Sequence, residues 1–78
     1  MTDPSTVLWA LADGDDRVSC AVRLTPYGIE VDVAHNGAVV VTRAFERDTE
    51  ALAWADRKRA AREANGRRPV ALPPARKV

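Results

Sequence analysis

Cys20 and His35 are the one cysteine and the one histidine of the chain, so only they could make an activated thiolate. That chemistry needs the imidazole within hydrogen-bond reach of the sulfur and a third group to orient it. Cys20 lies in "RVSCAVRLT", mid-strand by its pattern, where a thiol is normally an inert small hydrophobe. Pairing the flanking strands across "TPYG" makes the two residues diagonal neighbours on one sheet face, about 7–8 Å apart at Cα. That is too far for a working pair. "DGDD" gathers the carboxylates of Asp13, Asp15 and Asp16, but a calcium loop needs a longer ligand spacing and a later bidentate glutamate. A turn between strands accounts for it. No glycine-rich phosphate loop follows a strand. The expectation is no catalytic residue, no metal ligand set and no cofactor.

Anion recognition is the chemistry the chain does offer. Residues 1–56 carry four basic and ten acidic side chains, a net charge of −6. Residues 57–78 carry eight basic side chains and Glu63 alone, a net charge of +7. The whole chain sums to +1, which hides the asymmetry. Such a split between halves suggests an anionic partner, although basic faces are often merely solvated. The cations concerned are Arg57, Lys58, Arg59, Arg62, Arg67 and Arg68.

The elements that must position these residues follow from periodicity. The 78 residues make one small domain. "TVLWALA" is strand-like, and "RVSCAVRLT" alternates Val18, Cys20, Val22 and Leu24 with smaller or polar residues. "TPYG" fits a type I turn with a glycine bulge. "IEVDVAH" alternates again, "NG" is a strong hairpin signal, and "AVVVTRAF" is the fourth strand. Short connections give a meander in the order 1-2-3-4. Pairing aligns Leu24 with Ile29, Val22 with Val31 and Cys20 with Val33, and puts Leu11, Trp9 and Val7 on the same face. That apolar face needs a cover. A helix N-capped by Asp48 and stopped at Asn65-Gly66 supplies it. The expected architecture is α+β, a two-layer, four-stranded antiparallel meander covered on one face by a single C-terminal helix. Residues 1–66 form the ββββα domain, and 67–78, with three prolines and no periodicity, form a basic, disordered tail.

At about 100° per residue, Ala51, Leu52, Trp54 and Ala55 share one docking arc of the helix. Lys58, Arg59, Arg62 and Asn65 are the next to enter it, so the apolar stripe ends and the same face turns basic. A helix of about 17 residues is about 25 Å long, and its second half should overhang the sheet. Two readings fit. One is a solvated helix end whose cations favour the negative helix terminus. The other is a contact surface for an acidic protein or for nucleic acid. The fourth strand adds Val39, Val40 and Val41, apolar on both faces of a sheet edge. Strand addition or dimerisation there, or on the uncovered face, competes with tolerated surface apolarity.

"NGAVVVTRAFERDTEALAWADRKRA" resembles a pattern in small uncharacterised bacterial proteins. There a hairpin leads through a phenylalanine and a short acidic cap into an "EALAWA"-type helix. The matching pieces are Asn36-Gly37, Phe45, Asp48 and Glu50 to Ala55, within residues 36–60. Such helices usually continue with leucines, where this one has Lys58 and Arg62. Four strands followed by a helix also look like some phage-encoded anti-CRISPR inhibitors and like single-stranded-DNA-binding coactivator domains, which is likeness at the level of fold. The first of these implies a phage or mobile-element inhibitor.

The expected function is therefore that of a non-catalytic adaptor or inhibitor acting by protein–protein contact. Its contact residues would be Arg57, Lys58, Arg59, Arg62, Arg67, Arg68, Val39 and Val41. The alternative is a nucleic-acid binder that uses the basic residues on phosphates. A lone cysteine, a polar start and no apolar run near the roughly 18 residues that span a bilayer fit a cytoplasmic protein without membrane contact.

Overall fold

The computed structural model describes residues 5–70. Its elements are β1 (Ser5–Asp13), β2 (Asp16–Thr25), β3 (Gly28–His35), β4 (Ala38–Phe45), α1 (Asp48–Ala64) and β5 (Arg68–Pro69). The strands form one antiparallel sheet in the order β4-β3-β2-β1-β5, and α1 lies on one face. The meander and its covering helix are as expected, and the β2–β3 register matches residue for residue. Asn36 and Gly37 both take positive φ, 52° and 89°, as the tightest hairpin turn demands. Gly28 pairs in register with Thr25 and does not form the expected bulge.

Among the described residues the sheet has five strands, not four, and the reason is the end of the helix. Gly66 has φ 96°. Its N–H donates to the Glu63 carbonyl (3.0 Å), and the Arg67 N–H reaches back to the Arg62 carbonyl (3.4 Å). This double bond pattern reverses the chain and sends it along β1. There Arg68 and Pro69 pair with Ala12 and Leu11, and the Val70 N–H donates to the Ala10 carbonyl at 2.8 Å. Arg68 and Pro69, expected within the tail, thus form a short fifth strand. The tail expectation for 71–78 lies outside the described residues.

Two bulges reset the faces. In β1 the register shifts between Val7 and Trp9, with Leu8 as the extra residue. Trp9 and Leu11 stay under the helix, opposite Cys20 and Val18. Val7 moves to the open face opposite Ala21, and Thr6 takes the place expected for Val7, opposite Val22. In β4 the shift falls between Val39 and Val41, with Val40 as the extra residue. Val41 pairs with buried Val33 and so faces the helix, whereas Val39 pairs with Ala34 on the open face.

The core is Trp9, Leu11, Val18, Cys20, Val31, Val33, Ala51, Trp54 and Ala55, and among the described residues no polar residue is buried beside them. Trp9 also donates its indole Nε1–H to the Ala55 carbonyl at 3.0 Å, which fixes α1 to β1. Leu52, expected to dock, is half exposed at 50%. Thr6 stands where Val7 was expected, and it lines a cleft of about 380 Å³ with Val22, Leu24, Ile29 and Leu52. Asp48 is not the N-cap. Arg47 holds that position with extended φ and ψ and no side-chain capping bond, while Asp48 and Glu50 sit in the first turn, where the helix dipole favours acids. Among the described residues, no helix is long and apolar enough to cross a membrane.

Candidate functional site

Cys20 is fully buried and pairs with Val33, while His35 pairs with Val18. Among the described residues no hydrogen bond joins the two. Burial, and secondarily the charge of Asp32, push the Cys20 thiol up to about 11. A raised folded-state value favours the protonated thiol, so this contribution to stability is complete below the ordinary value of 9.0 and is lost as pH climbs towards about 11. Iodoacetamide at pH 8 should therefore alkylate Cys20 in the native protein at least about 100-fold more slowly than in denaturant. Intact-mass kinetics check this, and rapid native labelling would contradict the assignment of Cys20 to the core.

His35 instead places Nε2 2.6 Å from Asp16 Oδ1. The same carboxylate accepts from Asn36 Nδ2 at 3.2 Å and, through Oδ2, from Arg67 Nη2 at 2.7 Å. The Arg67 bond, with the contacts to His35 and Asn36, holds the Asp16 carboxyl below the ordinary carboxylate range. This node ties the start of β2, the end of β3 and the approach to β5 together. Asp16, the last residue of "DGDD", is thus part of a structural cluster. Among the described residues, no three histidine, cysteine, aspartate or glutamate side chains converge as metal ligands.

The six basic residues singled out by the sequence do not form one patch. Arg67 is held by Asp16, and Arg59 pairs with Asp56 at 2.8 Å. Arg68 lies on the open sheet face beside Ala12. Arg57 points away from the docked side of α1 and is exposed. Lys58 sets its Nζ over the Trp54 ring, 5.2 Å from the centroid. Arg62 lines a recess of about 280 Å³ with Val18, His35, Val40, Asn65 and Arg67. The second half of α1 therefore does not overhang. It stands over the sheet, separated from it by this recess.

Compared with protein-family models, curated proteins and solved structures, the chain matches none. Function must therefore be read from the surface itself.

One arrangement stands out along β4. Arg43 pairs with buried Val31 and Phe45 with Ile29, so both side chains project to the helix face. The Arg43 guanidinium lies over the Phe45 ring at 5.6 Å. Phe45 packs on Trp54 with centroids 5.8 Å apart and planes tilted by 52°, within the separation of favourable ring pairs. Lys58 Nζ lies over the same Trp54 ring. Cation, ring, ring and cation thus run from the sheet edge to the helix, and Arg62 with Val40 extends the line. Sequence reasoning found Lys58 and Arg62 but missed Arg43. Its signal was its place two residues before Phe45 and two after Val41, on one face of an alternating strand.

The open face contrasts with this edge. Arg23 bonds both Glu30 (2.6 Å) and Asp32 (3.0 Å), and the Thr42 hydroxyl donates to Asp32 Oδ1 at 2.6 Å. Burial pushes the Asp32 carboxyl up, but the bonds from Thr42 and Arg23 outweigh it and hold it low. Glu30 and Asp32 therefore answer Arg23 and leave the helix cations alone.

Proposed function

We propose that this is a non-catalytic binding protein, a small adaptor or inhibitor that works by protein–protein contact in the cytoplasm. The observation that carries the reading is the outer edge of β4. It is the terminal strand of the sheet, and Val39, Val40 and Val41 on it are 59%, 56% and 41% exposed. An edge strand presents a row of unpaired backbone donors and acceptors, and an apolar one invites pairing. A cytoplasmic location suits a lone thiol that stays reduced. The dispersal of the six cations over several sides, with two of them already paired to aspartates, weighs against a continuous phosphate-binding track.

The test is direct. Labelled single- and double-stranded DNA and RNA are titrated with the protein at about 50 and 200 mM salt. Little binding is expected at the higher salt, and no loss on replacing Arg57 and Arg68 with glutamate. Tight binding that falls steeply with salt and is abolished by those substitutions would make the nucleic-acid reading correct instead.

A further inference from the structure

We propose that the groove between the β4 edge and α1 takes an extended, acidic segment of a partner protein as an added strand. This inference rests on the protein-contact reading above and names the partner's chemistry.

Three features converge on that groove. The first is the free edge of β4, eight residues long. The second is the valine run, whose bulge at Val40 puts Val40 and Val41 on the helix side and Val39 on the other. The third is charge. Arg62 lines the recess beside Val40, Arg43 and Lys58 stand over the Phe45 and Trp54 rings that join β4 to α1, and none of the three has a carboxylate partner among the described residues. A strand added beside β4 would turn alternate side chains towards the helix, where these three cations stand. Acidic residues at alternate positions would meet them. The residues between would lie on the open face near Val39, where β-branched side chains fit a pleated surface.

Charge also decides between occupants. A second copy pairing β4 with β4 about a two-fold axis would place both helices on the same face of the joined sheet. Arg43 and Lys58 of one copy would then approach Arg62 of the other, cation against cation. An acidic strand removes that repulsion, and main-chain hydrogen bonds hold it in place.

Random decapeptides displayed on phage, selected on the intact protein, test this. The expected winners carry aspartate or glutamate at alternate positions with β-branched residues between them. A synthetic winner should bind Arg43→Glu/Arg62→Glu at least about tenfold more weakly than the parent. Methylating its alternate backbone amides in one of the two registers should abolish binding, which a purely electrostatic contact would not notice. Thermal melting establishes that the variant is folded, and Arg62→Gln alone, with a smaller loss, replaces it if it is not. Winners without acidic alternation, indifference to charge reversal, survival of methylation in both registers, or enrichment of no peptide would overturn the proposal. So would a stable dimer in light scattering that Val40→Lys dissociates. Peptides that ignore the β4 variants but are lost with Leu24→Asp/Leu52→Asp would move the contact to the apolar cleft, leaving the protein-contact reading intact. Binding to nucleic acid alone would overturn both.

Discussion

Trp9→Ala is expected to leave most of the chain unfolded at 25 °C. The indole is buried at 6% exposure, and its ring is the largest piece of the sheet that the helix covers. Truncating a buried tryptophan to alanine typically costs 3–5 kcal/mol. The hydrogen bond from Nε1 to the Ala55 carbonyl is lost with it. A domain this small rarely has more than about 3–5 kcal/mol to lose. Trp9→Phe keeps most of the apolar surface and removes only the hydrogen bond and part of the ring, so its cost should be about 1–3 kcal/mol. Far-UV circular dichroism and urea titration, with Trp54 as the remaining fluorescent reporter, measure both. A Trp9→Ala protein that melts within a few degrees of the parent would show that Trp9 does not anchor the helix. The consequence reaches the candidate site, because the line from Arg43 to Lys58 exists only while α1 is held against the sheet.

Gly28→Ala should be nearly as damaging, for a different reason. Gly28 begins β3 with φ 144°, a region that side-chain-bearing L-residues rarely enter. A Cβ there would come within 2.8 Å of the Phe45 carbonyl oxygen, which is backbone and cannot swing aside. Strain of about 1–3 kcal/mol is compounded by that collision, so a loss of about 3 kcal/mol or more is expected. D-alanine at the same position, introduced by chemical synthesis, suits the positive φ and directs its methyl away from the oxygen. It should be nearly neutral. Gly37→Ala meets nothing within 4 Å and should cost about 1–2 kcal/mol. Chemical denaturation of the three proteins gives the comparison, and equal losses for L- and D-alanine would contradict the steric account. Because the collision is with Phe45, Gly28→Ala should also disturb the stacking of Arg43 and Trp54 on that ring.

Local signals sufficed for the parts of this protein whose interactions are local. Alternation in residues 17–35 gave the faces of β2 and β3 and their register. Asn36-Gly37 gave a turn that only positive φ can close. The helix was legible from the spacing of Ala51, Trp54 and Ala55, all buried as expected, and its stop from Asn65-Gly66. These features depend on neighbours a few residues apart, or on a turn too short to allow another register.

Tertiary structure decided what depends on distant partners. Nothing near Leu8 or Val40 marks a bulge. Each arises where a strand must bring a following side chain under the helix, and each turns a valine, Val7 or Val39, to the open face. Asp48 is not the cap because the helix begins at Asp48 itself, which leaves Arg47 in the N-cap position. β5 exists because the helix stop aims Arg67 at Asp16, 51 residues away in sequence, and proline composition says nothing of such a contact. The basic residues were visible in number and in helical phase. Their division into Arg59 and Arg67, answered by aspartates, and Lys58 and Arg62, aligned with Arg43 beside the β4 edge, is a matter of which carboxylates the fold brings within reach. Electrostatic pairing depends on distances in space, and only the folded chain sets them.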